Sequence, residues 1–225
     1  MKSILLLLSL LGLVLSCSGL PQVVSQGDSA DPQPVRECRE PFPDGDWQLL
    51  HSIEATLPGG HKGFLMGLSV ISSSNRTARC VIMTLEGFVV FDALYDKQIS
   101  VKRAVAPFDS EVFARGLIED INLIFFKPDG ALKVSGLLKS GAAVCRYQKP
   151  DGRMVDIISR QEHNWEIRLY LNDYRLARTV KSISAQKPDS TDRMGISDKI
   201  ELTALGSPGY ALVMDLVEAI PLSRK

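Results

Sequence analysis

The chain has 225 residues, with 26 Lys plus Arg against 26 Asp plus Glu; that is room for one domain or two small ones, with no net charge. Neutrality excludes nucleic acid as the main partner, because phosphate binding needs a basic excess or a dense basic run. At 45% apolar and 23% charged the composition is globular, and four cysteines are too few for a disulfide-built scaffold.

The first predicted element is a secretory signal over residues 1–16. Lys2 supplies its positive start, and Ile4 to Leu15 form an apolar run broken only by Ser9 and Gly12. Twelve helical residues reach roughly 18 Å, short of a ~30 Å hydrocarbon core. The run is therefore a signal h-region and not a membrane span; its terminal position and lack of any polar face argue against a buried core helix. Val14-Leu15-Ser16-Cys17 resembles the bacterial lipobox, with an aliphatic residue at the first position and a small one before the cysteine. The resemblance implies that the Cys17 thiol receives a diacylglycerol, that the signal is cut before it, and that the new amine is acylated with palmitate or a similar chain. The competing reading is an ordinary cleavage site beside a cysteine. Two acyl chains hold a protein stably on a membrane where one holds it marginally. Ser18 in place of Asp at the following position implies, by the same resemblance, outer-membrane sorting with the domain facing the periplasm.

Cutting at Cys17 removes only Lys2 among the charged groups, so the mature chain stays near neutral. Residues 17–46 carry Pro21, Pro32, Pro34, Pro41 and Pro43 with Gly19, Gly27 and Gly45 and few large apolar side chains, the composition of a tether spanning about 30 Å. The folded domain is expected over 47–222.

From Trp47 the apolar residues alternate with period two, the pattern of half-buried strands. Trp47, Leu49, Ile53, Ala55 and Leu57 share one face, and Pro58-Gly59-Gly60 makes a turn. Phe64, Met66, Leu68 and Val70 form the next inward stripe. Strands follow at 77–84, 88–95 and 98–105, then at 143–149, 153–160, 164–171, 174–183, 199–205 and 210–217. Trp165, Ile167, Leu169 and Leu171, and then Tyr210, Leu212, Met214 and Leu216, are plain inward sets. One helix interrupts the strands: Asp109 is the expected N-cap, Glu111 lies in the first turn, and Phe113, Leu117, Ile121 and Ile124 recur at helical spacing. Lys127-Pro128-Asp129-Gly130 ends it, and 132–138 reads as a short further helical turn. About eleven antiparallel strands with one mid-chain helix predict a mainly β fold, a single open barrel with the helix against its concave side.

No G-x-S-x-G, H-E-x-x-H, C-x-x-C, P-loop or G-x-G-x-x-G occurs in the sequence. His51, His61 and His163 are far apart and read as surface or edge residues, with no metal and no cofactor expected. Glu119-Asp120 reads as a solvated helix face, since adjacent helical carboxylates point about 100° apart. An enzyme is not expected. With Cys17 acylated, Cys38, Cys80 and Cys145 can form one bridge at most; Cys38 would staple the arm to the barrel, and a Cys80–Cys145 bond would cross-link strands.

Lipobox, tether, eleven strands and one helix together resemble the LolA/LolB superfamily over Trp47 to Leu222, with the nearer likeness to LolB, the outer-membrane lipoprotein that receives other lipoproteins. Asn164-Trp165-Glu166-Ile167-Arg168-Leu169-Tyr170 is similar to that family's Asn-Trp-Lys strand. Ile200-Glu201-Leu202-Thr203 and Tyr210-Ala211-Leu212-Val213-Met214 are similar to its closing pair. The resemblance implies an apolar barrel interior that holds acyl chains, and a loop presenting a leucine before a glycine. Here Thr84-Leu85-Glu86-Gly87-Phe88 stands in that place, with Glu86 at the leucine position and Leu85 and Phe88 flanking it.

Two functions follow from different classes. The first is a lipid-anchored outer-membrane protein that binds an acyl chain, a lipid or a lipoprotein in a barrel cavity. The second is a non-catalytic structural or adaptor lipoprotein of an envelope complex, its core filled. Gly63, Gly67, Ala78, Ala93 and Ala143 among the strand residues favour interior space and the first function. The cavity candidates are Phe64, Met66, Leu68, Phe113, Leu117, Ile121, Trp165, Ile167, Leu169, Leu212 and Met214; the loop candidates are Leu85 and Phe88. A membrane through the Cys17 lipid is the expected partner, and the protein is expected to be a monomer.

Overall fold

The computed structural model describes residues 19–24, 41–160, 164–183 and 195–222. The signal segment, Cys17, Cys38 and His163 lie outside them. The described residues form thirteen strands and one helix. The strands are β1 (Val23–Val24), β2 (Asp46–Thr56), β3 (Lys62–Ser72), β4 (Thr77–Met83), β5 (Val89–Asp96) and β6 (Gln98–Ala104), then β7 (Ala131–Leu138), β8 (Ala143–Gln148), β9 (Met154–Ser159), β10 (Trp165–Tyr170), β11 (Leu176–Ile183), β12 (Lys199–Ala204) and β13 (Tyr210–Pro221). The helix α1 (Glu111–Phe125) lies between β6 and β7 in the chain.

All strands join one antiparallel sheet in the order β1-β7-β8-β9-β10-β11-β12-β13-β2-β3-β4-β5-β6. Each meander is built of hairpins, and β13 returns to pair with β2 along ten residue pairs from Ala211↔Thr56 to Pro221↔Trp47. The sheet does not close: β6 is one edge, and the short β1 on β7 is the other. Because the strands alternate in direction, the β2–β3, β4–β5, β8–β9, β10–β11 and β12–β13 turns all fall at one end.

The register explains the core. Ile157, Ile167, Val180, Leu202 and Leu212 stand opposite one another from β9 to β13. Residues directly opposite share a face, so this row lines the concave side, and all but Leu212 are fully buried or nearly so. α1 packs onto that side through Ala114, Ile118, Ile121, Ile124 and Phe125, which recur every three or four residues. Each large side chain buried there contributes roughly 1.5–3 kcal/mol. Phe113 meets the Phe91 ring of β5 edge-on at 5.2 Å and that of Phe108 at 5.1 Å, which fixes the start of the helix.

Four expectations are corrected. The inward face of β3 is Gly63, Leu65, Gly67, Ser69 and Ile71, while the expected stripe of Phe64, Met66, Leu68 and Val70 has the convex phase, with Met83 and Val81 opposite Met66 and Leu68 and Phe64 at the strand's end. Both faces of β3 are apolar, and the larger stripe is the outer one. A Cβ at Gly67 would lie 2.6 Å from Ile53 Cδ1, so the inner stripe narrows at Gly67 because Ile53 occupies that space. Residues 131–138 are the strand β7, whose alternation is broken by a bulge between Leu132 and Val134; the lost period is what resembles a helical turn. The N-cap is Ser110, whose side chain accepts from Phe113 N–H at 3.1 Å, one residue beyond Asp109. Part of the expected tether is docked: Val23 and Val24 pair with Leu138 and Leu137, and Arg146 donates to the Pro21 carbonyl at 3.0 Å.

That arginine belongs to a second buried layer, on the convex face of β8 to β10. Arg146 forks onto Asp156 at 2.6 and 2.7 Å, with Asp156 fully buried and Val144 and Ile158 beside it in the same condition. The bidentate geometry satisfies both buried charges, which is the condition for such a pair to be tolerated.

Candidate functional site: a cavity between the helix and the concave sheet

A cavity of about 1160 Å³ lies between α1 and the concave face, just above the roughly 300–1,000 Å³ usual for small-molecule sites. Its walls are apolar for most of their extent: Ile53, Ala55 and Leu65 from β2 and β3, Val155 and Leu169 from β9 and β10, and Leu117 from the helix. Gly63 lines it as well, where a side chain would project into the space. Leu57, Phe64, Val112 and Leu205 also line it and are exposed, and they mark its mouth. Leu57 and Leu205 lie in the β2–β3 and β12–β13 turns, at the end of the sheet where Leu85, Phe88 and Tyr174 are exposed too.

Of the expected cavity residues, Phe64, Phe113, Leu117, Leu169 and Leu212 line the space. Ile121, Trp165, Ile167 and Met214 lie behind it in the packed core, and Met66 and Leu68 are on the other face of the sheet. The strands that carry the inward sets therefore do meet around a space, but their deeper members are filler. Leu65, Ile82, Tyr95 and Phe108 also line it and were not singled out. The signal for Leu65, Ile82 and Tyr95 is the inward phase of β3 to β5, which the outer apolar stripe of β3 obscures; Phe108, in the loop before α1, has no such periodic signal.

One wall is polar, and this the sequence reading missed. Asp120 is not on a solvated face: it is 2% exposed, accepts from Arg178 Nε at 3.1 Å, and accepts from the Tyr210 hydroxyl. Its neighbour Glu119 pairs with Arg153 and lies 3.8 Å from Arg178. Burial, the largest influence, pushes the Asp120 carboxyl up to about 6 against the Tyr210 hydrogen bond and the Arg178 charge. Burial also raises Tyr210, and Asp120 adds to it. This wall is cohesive: two helix carboxylates clamp α1 to β11, β13 and the β8–β9 turn, each charge compensated by its partner. Among the described residues no cluster of three His, Cys, Asp or Glu could hold a metal ion.

The remaining sequence candidates are placed as follows. Leu85 and Phe88 are 63% and 53% exposed at the tip of the β4–β5 turn, where Gly87 takes φ +86° and the Arg103 guanidinium stacks 4.9 Å from the Phe88 ring. Hydrogen bonding from Thr84 holds the Glu86 carboxyl below its ordinary range. His61 is exposed, whereas His51 is buried in the core beside Phe125 and not at the surface. Cys80 is a free buried thiol that burial pushes up to about 12. Cys145 is disulfide-bonded, which excludes the Cys80–Cys145 option; its partner lies outside the described residues.

No family model and no curated protein matches the chain. Solved structures do. A LolA superfamily protein from Nitrosomonas europaea superposes with TM-score 0.55 at 12% identity, covering 86% of this chain and 94% of that one. A DUF1329 family protein from Desulfovibrio piger gives TM-score 0.52 at 14% identity, covering 84% and 92%. The chain has the open-sheet fold of the LolA superfamily.

Proposed function

We propose that the protein is a LolB-like lipoprotein of the outer membrane that binds an acyl chain or a lipidated partner in the cavity under α1. The observation that carries the proposal is the cavity itself: about 1160 Å³ with walls mostly apolar, with open space where Gly63 lacks a side chain. An acyl chain entering it gains about 0.8 kcal/mol per buried methylene, enough for micromolar binding after ordering costs of several kcal/mol. The docked segment shortens the expected tether. Cys17 is four residues before Pro21, so an acylated Cys17 lies within about 14 Å of the sheet, and the domain rides close to its membrane.

The test is binding of a fluorescent fatty-acyl probe to the chain from Ser18 to Lys225, with thermal unfolding measured alongside. Leu212→Trp fills part of the cavity and should abolish binding with little loss of stability. Ile167→Trp, in the packed core, should cost about 1–3 kcal/mol. No binding by the unmodified chain, with Leu212→Trp as destabilising as Ile167→Trp, hands the case to the adaptor reading.

A further inference from the structure

We propose that the exposed edge of β6, with the groove beside it, is a strand-addition site for the polypeptide part of an acylated partner, an extended acidic segment; this rests on the acyl-binding reading of the cavity. Among the described residues β6 pairs only with β5, and all its residues but Ala104 are exposed. Its free backbone row is a template for another strand. Between β6 and the start of α1 runs a groove of about 500 Å³ floored by Phe91, Ile99, Val101, Ala104, Phe108 and Ala114. A protected edge turns charge inward or breaks its row with a bulge; here the inward residues are Ile99 and Val101, 37% and 46% exposed, and the bulge at Lys102 leaves the row from Gln98 to Val101 regular.

Two further observations identify the occupant. Ile99, Phe108, Ser110 and Arg115 line both the groove and the acyl cavity, so a chain attached to an acyl group in the cavity passes directly onto the β6 edge. The outer side of β6 carries Lys102 and Arg103, neither of which has an ion-pair partner among the described residues. A partner strand with acidic residues on that side and apolar residues toward the groove pairs charge with charge.

The experiment compares four probes on the chain from Ser18 to Lys225, which retains every described residue. They are palmitate, a palmitoylated peptide of about eight alternating Val and Glu residues, the same peptide without the acyl group, and the palmitoylated peptide N-methylated at alternate residues. The palmitoylated peptide should bind about tenfold more tightly than palmitate. N-methylation, or Lys102→Glu with Arg103→Glu, should return it to the palmitate value, with palmitate binding itself unchanged. Equal affinity for palmitate and its peptide conjugate, or indifference to N-methylation, overturns the proposal. If palmitate fails to bind, the cavity reading falls. The edge is then decided by the unacylated peptide: binding that N-methylation abolishes upholds it, and no binding overturns it.

Discussion

His51 is 1% exposed on the concave side of β2, with its Nδ1 unpaired and the Phe125 ring 6.2 Å away. Burial pulls it from 6.5 to about 4, against the weaker opposing charge of Asp215. Between those values the unfolded chain holds the extra proton, so the His51 contribution is complete above pH 6.5 and is lost as the pH falls through 4, about 3 kcal/mol in all. Asp120 works the other way. Its folded carboxyl binds a proton near 6 and its unfolded one near 3.8, so its contribution is complete below 3.8 and is lost as the pH rises through 6, again about 3 kcal/mol. The two responses nearly cancel across pH 4 to 6. Urea denaturation over that range should show His51→Leu gaining stability with acid and Asp120→Asn losing it. Variants that both follow the parent curve would show that neither group is buried as placed. Neither role was legible in the sequence, because burial of a polar residue depends on what the helix covers.

Among the elements, β1 is the least expected, and it depends on one residue. A Cβ at Gly136 would stand 2.2 Å from the Val24 carbonyl oxygen and 3.0 Å from Val23 Cγ1, so β1 approaches β7 only because Gly136 has no side chain. Gly136→Ala should dislodge β1 at a cost of about 1 kcal/mol, the net worth of one or two hydrogen bonds. Amide exchange at Leu137 should quicken, while Leu138, whose N–H donates to the Ala142 carbonyl at 2.9 Å, and β2 to β5 keep their protection; unchanged exchange at Leu137 would mean that β1 does not hold that edge. The helix, by contrast, was readable to within two residues, since a cap, a first-turn Glu111 and a stop at Lys127-Pro128 are local signals. β7 was not, because a bulge removes the period from which strands are recognised.

At the scale of the whole molecule, the segment docked at Pro21 to Val24 and the cavity mouth at the turn end constrain the protein together. β1 runs antiparallel to β7 with Val23 opposite Leu138, the last residue of β7. The chain therefore approaches β1 from the end of the sheet opposite the β2–β3 and β12–β13 turns. An anchor at Cys17 would leave the mouth turned away from its own membrane. Cys17→Ser should block incorporation of labelled acyl groups and leave the precursor uncut by the lipoprotein peptidase; normal maturation of that variant removes the anchor from the model.

The sequence by itself determined the mainly β class, the single helix with its limits, and the inward sets of β2, β10 and β13, because caps, turns and two-residue alternation are written in neighbouring residues. Only the tertiary structure decided the face of β3, the strand state of 131–138, the burial of His51 and Asp120, and which inward residues bound space and which fill it. In β3 both faces are apolar, so the pattern allows either phase, and the choice falls to Ile53 on the neighbouring strand. The cavity itself is a difference in distance between α1 and the sheet, wide beside Leu117 and Leu212 and closed at Ile121 and Ile167. Such a distance is set by how the open sheet curves and where the Asp120 clamp holds the helix, and no stretch of neighbouring residues encodes it.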